Sequence, residues 1–128
     1  MDDRALVGKT IAFVEISDNR ESVLFTMIDG DKICYMAASD CCSQSWIEHF
    51  DYESLIGATV IDVICKYPND DIDAEREDHL LPTRFPDFQQ DYDQAYFYEI
   101  VTDKGSETME MRSSRNGFYG GWMEREVI

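Results

Sequence analysis

One short pattern occurs twice in this chain and constrains its fold more than any other feature. Leu6-Val7-Gly8-Lys9-Thr10-Ile11, with Val14 three residues on, returns as Leu55-Ile56-Gly57-Ala58-Thr59-Val60 with Val63 three residues on, an offset of 49. A second pair of segments follows in the same order. Phe25-Thr26-Met27-Ile28-Asp29-Gly30 and Ile100-Val101-Thr102-Asp103-Lys104-Gly105 each end an apolar run in turn-forming residues, at an offset of 75. Trp46 lies 16 residues after Gly30 and Trp122 lies 17 after Gly105. Conserved order at unequal offsets means two related halves, about 6–50 and 55–126, with about 26 extra residues in the second half, at 68–93.

The periodicity inside each half is that of strands. Ile11, Phe13 and Glu15 alternate with Ala12, Val14 and Ile16, and residues 22–28 and 32–38 flank Asp29-Gly30-Asp31 as a hairpin. In the second half, residues 59–67 are rich in β-branched side chains, 95–102 are aromatic and apolar, and Met109 and Met111 interleave with Glu107, Glu110 and Arg112. Each half therefore reads β-β-β. Residues 43–50 place Trp46, Ile47 and Phe50 at i, i+1 and i+4 behind Ser43, which predicts one short amphipathic helix. The expected class is α+β, mainly antiparallel β, in a single domain over 1–128. The two halves can share one sheet, a sandwich or a barrel.

The insertion has its own composition. Asp70, Asp71, Asp73, Glu75, Glu77, Asp78, Asp87, Asp91 and Asp93 face only Arg76 and Arg84 in charge balance. A connection of this length is commoner as a functional or ordered excursion than as a linker. Residues 70–81 have room for one or two helical turns with Ile72 and Leu80 toward the body, and Pro82 and Pro86 end anything regular.

Charge sets the partner class. The chain has 128 residues, 27 acidic and 11 basic, a net charge of −16 with histidine neutral. Its 44% hydrophobic fraction is enough for a packed core, so the acidity belongs on a folded surface. Such a surface repels phosphate backbones and anionic membranes, which argues against direct nucleic-acid or membrane binding. The first residues lack the basic and apolar regions of a secretory signal, and the longest apolar run, 33–38, is far too short to span a bilayer. Cys41 and Cys42 are adjacent and would form a strained ring if joined, so Cys34, Cys41, Cys42 and Cys65 read as reduced thiols of a cytoplasmic protein.

The chemistry of common sites is absent from the motifs. A calcium loop starting at Asp71 would need glycine at its sixth position and glutamate at its twelfth, where Arg76 and Pro82 stand. No C-x-x-C knuckle supports zinc, and neither His49 nor His79 lies in a catalytic signature. Nothing in the sequence calls for a cofactor or metal. The loops before the two tryptophans are the more informative places. Asp40, Cys41, Cys42 and Trp46 in the first copy and Arg112, Arg115, Asn116, Tyr119 and Trp122 in the second form a candidate small-molecule or ion-binding pair of loops, 40–46 and 115–122. Glycines at 117, 120 and 121 would let the second loop bring its aromatic rings close to backbone.

The L-[VI]-G-x-T-[IV] repeat, the S-D-C-C-S-x-S-W stretch and the closing S-S-x-N-G-[FY]-Y-G-G-W together resemble a family of small uncharacterised domains of bacteriophage and bacterial genomes. The resemblance spans nearly the whole chain except the insertion and implies no activity, so it transfers no catalytic residue. The leading expectation is a non-enzymatic, phage-type protein that binds a protein with a basic surface. The nine insertion carboxylates would be its contact residues, and nucleic-acid mimicry its sharpest form. The alternative is an accessory module that uses the two tryptophan loops.

Overall fold

The computed structural model describes residues 1, 3–39, 44–66, 83–89, 92–115 and 121–126. These residues form eight strands: β1 (Ile11–Ile16), β2 (Ser22–Met27), β3 (Lys32–Ser39), β4 (Gln44–Phe50), β5 (Val60–Lys66), β6 (Tyr92–Thr102), β7 (Gly105–Arg115) and β8 (Gly121–Glu126). They make two four-stranded antiparallel sheets, ordered β1-β2-β3-β8 and β4-β7-β6-β5. Each half of the chain thus builds a three-stranded meander and sends its fourth strand to the meander of the other half.

The strand register repeats with the sequence. Ile11, Phe13 and Val14 pair with Met27, Thr26 and Phe25, and Val60, Asp62 and Val63 pair with Thr102, Val101 and Ile100. Both pairs shift register at the same place, between Ile11 and Phe13 and between Val60 and Asp62. The exchanged strands also correspond. Trp122 and Met123 of β8 pair with Ala38 and Ala37 of β3, as Trp46 and Ile47 of β4 pair with Arg112 and Met111 of β7.

The repeated six-residue patterns bind each other. Gly8 N donates to Val60 O at 2.8 Å and Gly57 N to Ile11 O at 2.7 Å, while Ile11 N donates to Ala58 O at 3.0 Å and Val60 N to Lys9 O at 2.8 Å. Under the offset of 49 these four bonds exchange in pairs, so the two copies are related by a local twofold. The glycines of the pattern sit at φ +85° and +83°, a conformation that an L side chain occupies only at a cost. The repeat therefore encodes the joint between the sheets.

The helix expected over 43–50 is instead β4, and among the described residues the helical elements are two 3₁₀ turns, Glu53–Leu55 and Pro86–Phe88. The register of β4 shifts between Ile47 and His49, leaving Glu48 as an extra residue opposite β7. Ile47 and Phe50 both reach the core because of that bulge, and their three-residue separation imitates a helical period. Trp46 is buried on the opposite face, so the strand is covered on both sides and loses the alternation that marks a half-exposed one. Each half has four strands where the sequence pattern shows three, because β8 is also added.

One apolar cluster joins both sheets. It contains Ile11, Val14, Val23, Phe25, Ile33 and Tyr35 from the first, and Ile47, Phe50, Val60, Tyr98, Ile100, Met109 and Met111 from the second. Phe25 contacts Phe50 across the sheets with ring centroids 6.1 Å apart. Tyr98 Oη accepts the Met123 N–H at 3.2 Å, tying β6 to the exchanged β8. Burial and the neighbouring Asp3 carboxylate, which accepts the Tyr35 hydroxyl at 2.6 Å, push the Tyr35 phenol well above its ordinary value.

Candidate functional site

The outer face of the second sheet is not open to solvent at Trp46 of β4. Residues 83–89, the described return limb of the insertion, lie over it. Phe88 packs on Trp46 with ring centroids 5.4 Å apart, and Phe85 stacks on Phe88 at 5.9 Å. The Arg20 guanidinium lies over the Phe85 ring, 5.0 Å from its centre. Trp46 is 0% exposed although its side chain points away from the core cluster. A second, smaller packed layer exists there because the insertion returns over an aromatic residue.

Glu48 fixes that layer. Its carboxylate accepts the Trp46 indole N–H at 3.2 Å, the Thr83 hydroxyl, and the Arg84 backbone N–H at 3.1 Å. Burial by itself pushes this carboxyl up, but the Thr83, Arg84 and Trp46 donors and the Arg112 charge outweigh it and hold Glu48 below the ordinary carboxylate range. The bulge that carries Glu48 is pinned from the first sheet. Arg20 Nε donates to Ile47 O at 2.9 Å and its Nη2 to Glu48 O at 3.2 Å. Arg20 has φ +63°, and its own carbonyl accepts the Ile47 N–H at 2.7 Å.

Arg112 lies between two carboxylates. Its Nε donates to Glu110, its Nη1 is 3.9 Å from Glu48 Oε1, and the residue is only 8% exposed. Nη1 has no hydrogen-bond partner among the described residues. With Glu48, His49, Thr83, Arg84 and Glu110 it lines an open cleft of about 400 Å³. The cleft mixes two arginines and two glutamates and suits a small ligand carrying both charges, or a carboxylate alone.

The residues singled out from sequence separate into three groups. Asp70, Asp71, Asp73, Glu75, Glu77, Asp78 and Asp91 of the insertion, and Asp40, Cys41, Cys42, Asn116 and Tyr119 of the loops, lie outside the described residues. Asp87 is exposed on the 3₁₀ turn Pro86–Phe88. Asp93 is 2% exposed in β6 and accepts the Gln89 side-chain amide at 2.6 Å. Trp46 and Arg112 are cross-strand neighbours, whereas Arg115 pairs with Tyr92 in the second sheet and Trp122 with Ala38 in the first. The two tryptophans thus sit at equivalent positions of different sheets.

Glu48, Thr83 and Arg20 were not singled out by the motifs. A signal for Glu48 was present, because Trp46-Ile47-Glu48 and Trp122-Met123-Glu124 are the same pattern in the two copies. Thr83 and Arg20 carry no repeat, since they belong to the corresponding β5–β6 and β1–β2 connections, which differ in length between the two halves.

Among the described residues no group of three or more His, Cys, Asp and Glu side chains could hold a metal ion, and no helix is long and apolar enough to cross a membrane. Burial and the Glu126 carboxylate push the Cys34 thiol up, away from the thiolate that nucleophilic chemistry needs.

Residues 4–124 match the family described as Domain of unknown function (DUF7448). The chain belongs to that family. It is also similar to Uncharacterized protein L278 of Acanthamoeba polyphaga mimivirus, 32% identical over 124 residues, which cover 92% of this chain and 87% of the mimiviral protein. No solved structure matches. The relative is viral, and neither comparison assigns a bacterial or phage source.

Proposed function

We propose that this DUF7448 protein is a non-enzymatic binding protein whose negative surface engages a protein partner with a basic surface, in a viral setting and in the cytoplasm of the infected cell. The observation that carries the reading is the outward face of the first sheet. Glu15, Glu124 and Glu126 are exposed there, and no described lysine or arginine forms an ion pair with any of them. Elsewhere several cations are committed: Lys9 to Asp29 and Asp31, Arg4 to Asp62, Lys66 to Glu99 and Arg125 to Asp3. A net charge of −16 is therefore not cancelled locally, and a surface of that sign speeds encounter with a basic partner. Duplex DNA carries one charge per about 1.7 Å of its axis. Competition with duplex DNA for the same partner is the strongest form of the proposal.

The test is capture from a cell lysate on the immobilised full chain across a salt series, with duplex DNA as competitor. Retained proteins should be basic, should elute as the Debye length falls toward about 8 Å at physiological salt, and should be displaced by the duplex. Retention of no basic protein even at low ionic strength contradicts the proposal.

A second reading is favoured by one observation, the buried Arg112 Nη1, which has no hydrogen-bond partner among the described residues and belongs to a side chain that lines the open cleft. It makes the chain an accessory module for a small carboxylate-bearing ligand. Acetate or glutamate at millimolar concentration should then raise the melting temperature of the wild type and not of Arg112→Lys, which keeps the charge but loses the planar fork. An equal rise in both, or none, removes this reading.

A further inference from the structure

Among the described residues, the local twofold pairs a covered face with an uncovered one. In the second sheet, Trp46, Arg112 and Glu110 lie under or beside residues 83–89. At the corresponding positions of the first sheet stand Trp122, Ala38 and Met36, and Glu124 takes the position of Glu48. The insertion that covers the second sheet has no counterpart in the first half, where β1 and β2 are joined by a short turn. Glu124 is exposed and has no hydrogen-bond or ion-pair partner among the described residues, whereas Glu48 is 5% exposed and accepts three donors.

The chemistry of the uncovered face differs in a definite direction. Where the second sheet places the polar pair Arg112 and Glu110, the first places Ala38 and Met36, both partly exposed. Leu24 lies on the same side, and Phe13 of the edge strand is 66% exposed. Glu15 on β1 and Glu124 and Glu126 on β8 border this apolar strip, and Lys32 is the described cation on that side. Three strand spacings of about 4.8 Å make the strip roughly 14 Å wide, enough for one extended segment with two side chains down. Carboxylates around an apolar strip complement a segment that presents an aromatic ring flanked by arginine or lysine.

We propose that the outer face of the first sheet docks a basic and aromatic segment of a partner protein, as residues 83–89 cover the second sheet. The aromatic ring rests over Met36 and Ala38, and the segment's cation and backbone N–H groups meet Glu124. This rests on the reading of the chain as a binder of basic proteins and gives that reading a place.

The probe is a fluorescein-labelled peptide of residues 83–89 carrying Asp87→Lys, titrated with the full chain by fluorescence polarisation. Saturable binding is expected, weakened about tenfold by Glu124→Lys and by Met36→Lys, and changed less than about twofold by Glu53→Lys, which alters net charge equally at an exposed site away from this face. Circular dichroism and melting curves identify variants that keep the fold. Absence of saturable binding overturns the docking surface. So does an equal loss in Glu53→Lys, which would make the attraction general, or a gain in Phe88→Ala, which would mean that the peptide displaces the chain's own segment from Trp46. Any of these with salt-sensitive capture of basic proteins intact removes this face and leaves the broader reading standing; loss of that capture removes the broader reading itself.

Discussion

Thr10 Oγ1 and Thr59 Oγ1 lie 2.7 Å apart, and the two residues are 49 positions apart in the chain. Each is the threonine of its own L-[VI]-G-x-T-[IV] pattern, and the two form the isolated antiparallel bridge between the sheets. A residue that hydrogen-bonds to its own counterpart stands on the local twofold. The pattern is thus repeated because each copy is the other's binding partner.

Removing either hydroxyl should cost about 1 kcal/mol, since the bond is partly buried and the remaining hydroxyl loses its partner. Thr10→Val and Thr59→Val together should cost less than the sum of the two, with a coupling of about 0.5–1 kcal/mol in a urea-unfolding double-mutant cycle. Simple additivity would show that the hydroxyls do not bind each other.

Gly8→Ala and Gly57→Ala should destabilise equally. Each residue sits in the left-handed region, and an added Cβ meets nothing within 4 Å at Gly8 and only the Lys104 Nζ at 3.6 Å at Gly57, so the cost is conformational and not steric. About 1–2 kcal/mol is expected at each site, measured by thermal or urea unfolding. A loss at one site and none at the other would break the equivalence of the two copies.

Glu48→Gln should lower stability by about 1–3 kcal/mol at neutral pH, because a buried acceptor of three donors is weakened. The folded carboxyl titrates below its ordinary value of 4.5, so the unfolded chain binds more protons in that range. Its contribution is complete above 4.5 and disappears as pH falls through the lower, folded value. Urea midpoints across pH should therefore show the wild type and Glu48→Gln converging in acid. A constant gap would mean that the carboxylate charge contributes nothing.

Phe88→Ala should expose Trp46. In a Trp122→Phe background, where emission reports Trp46 alone, the spectrum should shift to the red with a stability loss of about 1–2 kcal/mol from the apolar contact. An unchanged spectrum would show that residues 83–89 do not cover the indole.

β2, with its clean alternation, was legible in the sequence, and so was the order of the repeated segments. β4 was not. Its bulge at Glu48 gave Ile47 and Phe50 a helical spacing, and the burial of Trp46 under Phe88, next to the core residue Ile47, removed the alternation of a half-exposed strand. The exchange of fourth strands could not be read either, since pairing partners depend on tertiary contacts that leave no local pattern. At the site, Trp46 and Arg112 were identified as a loop feature and prove to be cross-strand neighbours in a buried cluster. The donors that complete that cluster, Thr83 and Arg84, come from the far end of a long insertion that local spacing does not connect to β4.

The exchange of β4 and β8 places one tryptophan strand in each sheet, and with it both the covered face and the open one. Amide nuclear Overhauser contacts in uniformly labelled protein test it directly. Cross-strand contacts are predicted between Ala37 or Ala38 and Trp122 or Met123, and between Met111 or Arg112 and Trp46 or Ile47. Contacts that instead pair β3 with β4 and β7 with β8 as ordinary hairpins would contradict the exchanged fold and the docking face derived from it.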